Sequence, residues 1–442
     1  MELYGTQTVN EKGHLVIGGV DTVDIAHVYG TPVVVYDTRL FRKRAAGFRQ
    51  SFEKIGMKAQ VAYASKAFSS IAIYELAAEE GLSLDVVSGG ELFTAVKADF
   101  PRERIHFHGN NKSYMELNYA FDENIGCIVV DNFLELSMVK EIASTRKQHM
   151  NILLRVTPGI EAHTHEFITT GQEDSKFGFD LKNGQADEAF ELAHDVPYLQ
   201  LLGLHCHIGS QIFETDAFNH AAETLMEKMQ VWKESHSFIC TVLNLGGGFG
   251  IRYTEEDEPL DPSQYVEEMG KVVFDLAKRW NYPLPEIWIE PGRSLVGDAG
   301  TTLYTAGSEK EVPGVRTYIA VDGGMSDNIR PALYDAKYTA AIANKMLSPR
   351  DTTVTIAGKC CESGDKLIVD ATLSSVSEGD LVAIFCTGAY TYSMAGNYNR
   401  LPRPAVIFAE DGEHQLVIRR ETYEDITRLD LSLHQKVRKE SK

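Results

Sequence analysis

A lysine stands near the end of the short apolar run VAYASKAFSS at residues 61–70. An ammonium there is costly unless it is paired or put to use, so Lys66 has three possible roles. It can snorkel and pair with an acid such as Asp85. It can be a carbamylated bridge in a metal site, or an amine of lowered pKa that forms a Schiff base with a carbonyl. Three other stretches carry chemistry. In LNLGGGFGI (243–251), the successive glycines Gly246–Gly248 let backbone N–H groups close around an anion. The run does not fit the G-x-G-x-x-G dinucleotide fingerprint. IEPGRS (289–294) offers the carboxylate of Glu290, with Gly292 and Arg293 as a backbone donor and a cation. HCHIGS (205–210) puts His205 and His207 on one face of a strand by the two-residue period. Further His-x-His pairs at 106–108 and 163–165 raise a metal-dependent hydrolase with bound water as nucleophile. His163 and His165, in HTHEF, read as loop histidines without a ligand.

The elements that must position these residues follow from the hydrophobic pattern. Eight short apolar runs recur: QVAYASK (60–66), LSLDVVSGG (82–90), RIHFHGN (104–110), GCIVVDN (126–132), NILLRVTPG (151–159), LLGLHCHIGS (201–210), TVLNLGGGFG (241–250) and EIWIEPGRS (286–294). Helix-like stretches such as SSIAIYELAAEEG lie between most of them. Eight strands alternating with helices predict a parallel (β/α)8 barrel, with its active site at the C-terminal ends of the strands. Lys66, Asp85, His108, His207, the glycines after Leu245 and Glu290 all fall at such ends. The glycine turn follows the seventh run, where barrels commonly bind phosphate. After residue 300 the texture turns β-rich, with VRTYIAVDGG, TTVTIAGK, DKLIVDATL, DLVAIFCTGAY, PAVIFAED and HQLVIRRE. The expectation is an α/β barrel at 36–298 plus an all-β, Greek-key-like domain at 299–442 that also takes in residues 1–35. HLVIGGVD would join the β domain, TPVVVYD would lead into the barrel, and the tail VRKESK would fray.

The formal net charge of −20 over 442 residues argues against a nucleic-acid partner. No run approaches the ~18 apolar residues of a membrane span, and MELYGTQTVNEKG does not read as a secretory signal. Six cysteines without a C-x-x-C pair suit a reducing cytoplasm. A metal site would leave Lys66, the triple glycine and Glu290 without work. A pyridoxal phosphate site needs all of them: an amine for the aldehyde, a phosphate cradle, an acid at the pyridine nitrogen and a flat group on the ring. Lys66, Gly246–Gly248 with Arg293, Glu290 and His207 supply that set.

The motifs YASKAF, DVVSGGEL, IHFHGNNKS, SKFGF, GLHCHIGSQ, LNLGGGFGI, IEPGRSLVG, CCESGD and GAYTYSMAGNYN, spread over residues 61–399, resemble the diaminopimelate decarboxylase branch of the alanine racemase-like, fold-type III pyridoxal phosphate enzymes. The resemblance implies a homodimer whose active site spans the interface, and removal of the D-centre carboxylate of meso-2,6-diaminopimelate to give L-lysine and CO₂. It implies that Lys66 carries the cofactor, His207 stacks on its ring, Glu290 pairs with the ring nitrogen and Asp85 lies near Lys66. Gly247, Gly248, Gly292 and Arg293, with Ser210 and Tyr390, would contact the phosphate. Arg293, Arg330, Tyr334, Tyr390 and Glu362 would read the substrate's far end. Cys361 would come from the partner subunit as proton donor, although Cys360 precedes it and leaves two neighbouring thiols. Sister decarboxylases acting on ornithine, arginine or carboxynorspermidine share the cofactor set; Arg330 favours a substrate with a distal carboxylate. A regulator on the same scaffold could dispense with Lys66 or Cys361, and both are present.

Overall fold

A computed structural model describes residues 3–160 and 175–433. His163, His165 and the tail after Leu433 lie outside the described residues. Eight parallel strands close into a barrel: β1 (Ala59–Ala64), β2 (Ser83–Val86), β3 (Ile105–Phe107), β4 (Cys127–Val130), β5 (Met150–Thr157), β6 (Leu199–His205), β7 (Val242–Asn244) and β8 (Glu286–Ile289). Each pairs with the next, and β8 closes on β1 through Ile289 and Val61. These are the eight apolar runs of the sequence, buried on both faces as parallel strands require. Short polar residues start the helices that follow. Ser70, Ser88 and Asn132 accept the first free N–H groups of helices Ile71–Glu79, Gly89–Lys97 and Phe133–Arg146. Ser113 and Glu116 form a capping box on Tyr114–Asp122.

The second unit is a mixed sheet with its own core, in which Leu15, Ile17, Val33, Leu303, Ile319, Ile356 and Val382 pack together. The β-rich runs after residue 300 all become strands of it, joined by a long strand at Gly300–Val312 that period-2 reading passed over. HLVIGGVD folds as two strands of a small three-stranded sheet packed on this same core. Val33–Asp37 does not enter the barrel: it pairs antiparallel with Gly300–Val312 and parallel with Ala405–Glu410. Its two neighbours in the β sheet complete its hydrogen bonds on both edges, and Asp37 then caps the first barrel helix, Thr38–Lys54.

Candidate active site

Strand alternation layers the inside of the barrel. Cys127, Val129, Leu153, Val242 and Trp288 form a small apolar cluster, and the His106 ring stacks on Trp288 at 4.2 Å. Two residues further along the same strands come His108, Asn244 and Glu290, which the two-residue period points inward as well. His205 ends β6 at the same level. Burial pushes the His106 imidazole down to about 3, so it is neutral.

Glu290 is the hub of this upper layer. Its Oε1 accepts from Asn244 Nδ2 at 2.6 Å, and its Oε2 accepts from His205 Nε2 at 3.2 Å. His108 Nε2 lies 3.0 Å from Oε1, off the line of a hydrogen bond, and 3.7 Å from Asp85 Oδ1. Burial by itself would raise the Glu290 carboxyl, but His108 and His205 outweigh it and hold the group well below its ordinary value. Asp85, opposite Ala64 in the β1–β2 ladder, responds differently. Burial raises it to about 6; His108 and Lys66 pull it down, and Glu290 pushes it up. Two carboxylates thus share one pocket with opposite shifts. Glu290 stays anionic because it has the hydrogen-bond donors.

The glycine turn follows directly. Asn244 Oδ1 accepts from Gly246 N at 2.9 Å, so one amide ties Glu290 to the start of the turn. A Cβ on Gly247 would stand 2.1 Å from the Glu290 carbonyl, and one on Gly248, at φ +114°, would stand 2.4 Å from the Gly209 carbonyl. Only glycine fits this cradle. Gly247 N donates to His207 Nδ1 at 3.3 Å. Burial, then the nearby Lys66 charge, push the His207 imidazole well below its usual range, leaving a neutral, flat ring.

Lys66 sits in the turn Ser65–Ala67 just past β1, exposed to a cavity of about 740 Å³. Among the described residues no carboxylate ion-pairs with it, so the paired-lysine role loses its support. Of the residues that the family resemblance assigns to the site, all but two line the cavity: Asp85, His207, Ser210, Gly247, Gly248, Glu290, Gly292, Arg293, Arg330, Tyr334 and Tyr390 all join Lys66. The exceptions are Cys361 and Glu362. Both are exposed on the loop between strands Thr352–Ala357 and Lys366–Leu373. Cys361 N donates to Asn399 Oδ1 at 2.7 Å, and its neighbour Cys360 is buried.

Sequence reading passed over four residues of this site. Asn244 is the bridge just described. Arg155, also on the cavity wall, stacks on Phe177 at 4.1 Å and approaches Asp131 at 3.8 Å. Tyr253 and Tyr338 accept hydrogen bonds from Arg330, at 3.1 and 2.8 Å. An asparagine and an arginine inside apolar runs, LNLGGG and ILLRVT, were the signals available; the two tyrosines gave none.

His108, His205 and Glu290 also bring one ligand atom each within 4.8 Å of one another, the donor set of a metal site. The Asn244 amide already donates into Glu290 Oε1, which a cation would have to displace. Pyridoxal phosphate fits the residues more completely. An amine opens into the cavity, a glycine cradle excludes side chains, and the buried Arg293 Nε lacks a partner. An anionic Glu290 and a flat neutral His207 complete the set.

Residues 38–297 match the family model for the pyridoxal-binding domain of pyridoxal-dependent decarboxylases. The diaminopimelate decarboxylase of Bacillus subtilis is 64% identical over 98% of both chains, and that of Staphylococcus aureus 47% identical over 94% of this chain and 97% of its own. The chain belongs to the diaminopimelate decarboxylase family. Family membership extends to the architecture: the crystal structure of diaminopimelate decarboxylase from M. jannaschii superposes with a TM-score of 0.90 at 34% identity, over 97% of this chain and 98% of that one. A lysine/ornithine decarboxylase from Vibrio vulnificus, 20% identical with a TM-score of 0.76, shares the fold. The family's barrel and cofactor domain therefore coincide with the wall that holds Lys66, Glu290 and the glycine turn.

Proposed function

We propose that the protein removes the D-centre carboxylate of meso-2,6-diaminopimelate, releasing CO₂ and L-lysine, with pyridoxal phosphate held on Lys66. The observation that carries the substrate is a pair of buried arginines, Arg293 and Arg330, in the same cavity as Lys66 and without a carboxylate partner among the described residues. A second α-amino-acid head has the carboxylate they lack; the distal ends of ornithine, arginine and carboxynorspermidine do not. Pyridoxal phosphate, once bound, supplies a conjugated ring that accepts the electron pair left as CO₂ departs. The chain's own residues prepare for that step. Glu290, kept anionic by Asn244 and the two imidazoles, holds a proton on the ring nitrogen. Neutral His207 covers one face without adding charge. Gly247, Gly248, Gly292, Arg293, Ser210 and Tyr390 cradle the phosphate. Arg330, Tyr334 and Arg293 orient the distal carboxylate.

The same reading makes the working unit a homodimer in the cytoplasm. Cys361 and Glu362 are exposed and lie outside the cavity of their own chain. Supplied by a second subunit, the Cys361 thiol would protonate the reacting carbon and Glu362 would meet the distal ammonium. The test is CO₂ release from meso-, LL- and DD-diaminopimelate, ornithine and arginine with added cofactor. Release from the meso isomer alone is expected. Release from ornithine or arginine alone would assign the chain to a sister decarboxylase. A bound metal, with no cofactor absorbance and no borohydride label on Lys66, would favour the hydrolase.

A further inference from the structure

Tyr253 lies on the loop that leaves the glycine turn, and it is 7% exposed. Asp257 Oδ2 closes that loop, accepting from Tyr253 N at 3.0 Å and Thr254 N at 2.9 Å. The Tyr253 ring packs edge-on against Tyr338 at 5.6 Å, and the guanidinium carbons of Arg293 and Arg330 stand 5.6 and 5.3 Å from its centroid. Its hydroxyl oxygen accepts from Arg293 Nη1 and, at 3.1 Å, from Arg330 Nη1. A guanidinium only donates, and a phenol oxygen has two lone pairs and one hydrogen. Both lone pairs are taken, so the hydroxyl hydrogen is left to donate elsewhere. Among the described residues no acceptor takes it, and Tyr253 borders the cavity. The hydrogen is therefore placed to be given to an occupant of the cavity, and two buried guanidiniums beside it favour an anion there.

Resting on the diaminopimelate reading above, we propose that Tyr253 is a specificity-determining residue, donating its hydroxyl hydrogen to the substrate's distal carboxylate while locking Arg293 and Arg330 together. Three anions enter this cavity: the cofactor phosphate, the carboxylate that leaves and the distal carboxylate. Two guanidiniums and a hydroxyl on the leaving carboxylate would hold its charge and oppose its departure as neutral CO₂, so the choice lies between the other two. The phosphate has its own donors in the glycine turn and in Ser210, to which Arg293 Nη2 also donates at 3.1 Å. Arg330 comes from the β domain, on the helix Arg330–Tyr334, and Tyr253 couples it to that end. The distal carboxylate is the anion that needs all three.

The test uses Tyr253→Phe holoenzyme, which keeps the ring and removes only the hydroxyl. L-lysine and cadaverine, the same diamine with and without a carboxylate, serve as competitive ligands. Inhibition by L-lysine should weaken at least about tenfold, inhibition by cadaverine should stay within about twofold, and cofactor affinity should not change. Tyr338→Phe takes an acceptor from Arg330 but removes no donor from the cavity, so its loss on L-lysine should be smaller. Equal losses on both amines, an unchanged L-lysine constant, or a Tyr338→Phe effect as large as that of Tyr253→Phe would overturn the proposal. Weakened cofactor binding would overturn it too and give the hydroxyl to the phosphate. A parent enzyme that binds L-lysine and cadaverine equally overturns the substrate reading itself, and the role of Tyr253 falls with it. A parent that discriminates them leaves any failure with Tyr253 alone.

Discussion

The layer around Glu290 and the loop around Cys361 are built on opposite terms. Glu290, His205, His108 and Asn244 are at most 6% exposed and answer one another within one barrel. Cys361 and Glu362 are exposed, and among the described residues the Asn399 side-chain amide alone accepts from the Cys361 backbone N–H. The half we assign to the electron sink is assembled within a single chain, and its polar hub is buried. Cys361 and Glu362, to which we assign proton delivery and the distal ammonium, are displayed outward, at the surface of the other domain. A chain organised this way should bind cofactor alone and turn over substrate only as a pair.

The sharpest break of that contrast is a mixing experiment. Lys66→Ala and Cys361→Ala should each lower turnover by about 10²–10⁴-fold, the range for a lost acid–base group. If each active site draws Lys66 from one subunit and Cys361 from the other, mixed dimers contain one intact site. Random pairing makes half the dimers mixed, so re-associating equal amounts should restore about a quarter of the parent CO₂ release. No recovery would mean that both residues work within one chain. Activity after Cys361→Ala but not Cys360→Ala would identify the buried neighbour as the acting thiol.

Smaller losses distinguish the two ends of the cavity. Glu290→Gln should cost about 10²–10³-fold in kcat, as for other removed electrostatic stabilisers, with KM and cofactor content nearly unchanged. Arg330→Ala should act on KM, by about 2–3 kcal/mol, because a buried charge-paired anchor is lost before and during reaction alike. Initial-rate kinetics on meso-diaminopimelate separate the two. A kcat effect from Arg330→Ala would put that guanidinium next to the reacting carbon instead.

Much of the barrel was legible because its signals are local. Eight apolar runs end in residues too polar or too small for a core, and each became a strand with its unusual residue at the mouth. Lys66, Glu290 and the glycine turn stood out because type and position disagree with burial. What stayed hidden depends on register and on distant contacts. Val33–Asp37 looks like any strand beside the barrel, and only its pairing with Gly300–Val312 and Ala405–Glu410 assigns it to the β sheet. His108 and His205 were visible as possible metal ligands. That they clamp Glu290 follows from strands 85 residues apart being near neighbours in the closed barrel, which no local pattern encodes. Tyr253 reads as an ordinary loop aromatic until two arginines, 40 and 77 residues further on, converge on it.

The finest test addresses the charge that the barrel mouth keeps. Asp85 has a folded pKa of about 6, against roughly 3.9 in an unfolded chain. The native state therefore holds the extra proton between those values. Stability contributed by this group is present below pH 4 and is lost as pH rises towards 6, by about 2–3 kcal/mol. The opposite shift at Glu290 carries the opposite sign: its stabilisation is present at neutral pH and is lost only on strong acidification. Comparing urea midpoints of the cofactor-free parent and Asp85→Asn across pH 4–7 reads out Asp85 together with the neighbours it faces, because buried acids elsewhere in the chain titrate alike in both proteins. The parent curve should fall more steeply between pH 4 and 6, and the variant's curve should lie above it at pH 7. Parallel curves would mean that the Lys66 and His108 charges compensate Asp85 as fully as Asn244 and the imidazoles compensate Glu290. The mouth would then contain two matched carboxylates instead of one anchored anion beside one reluctant acid.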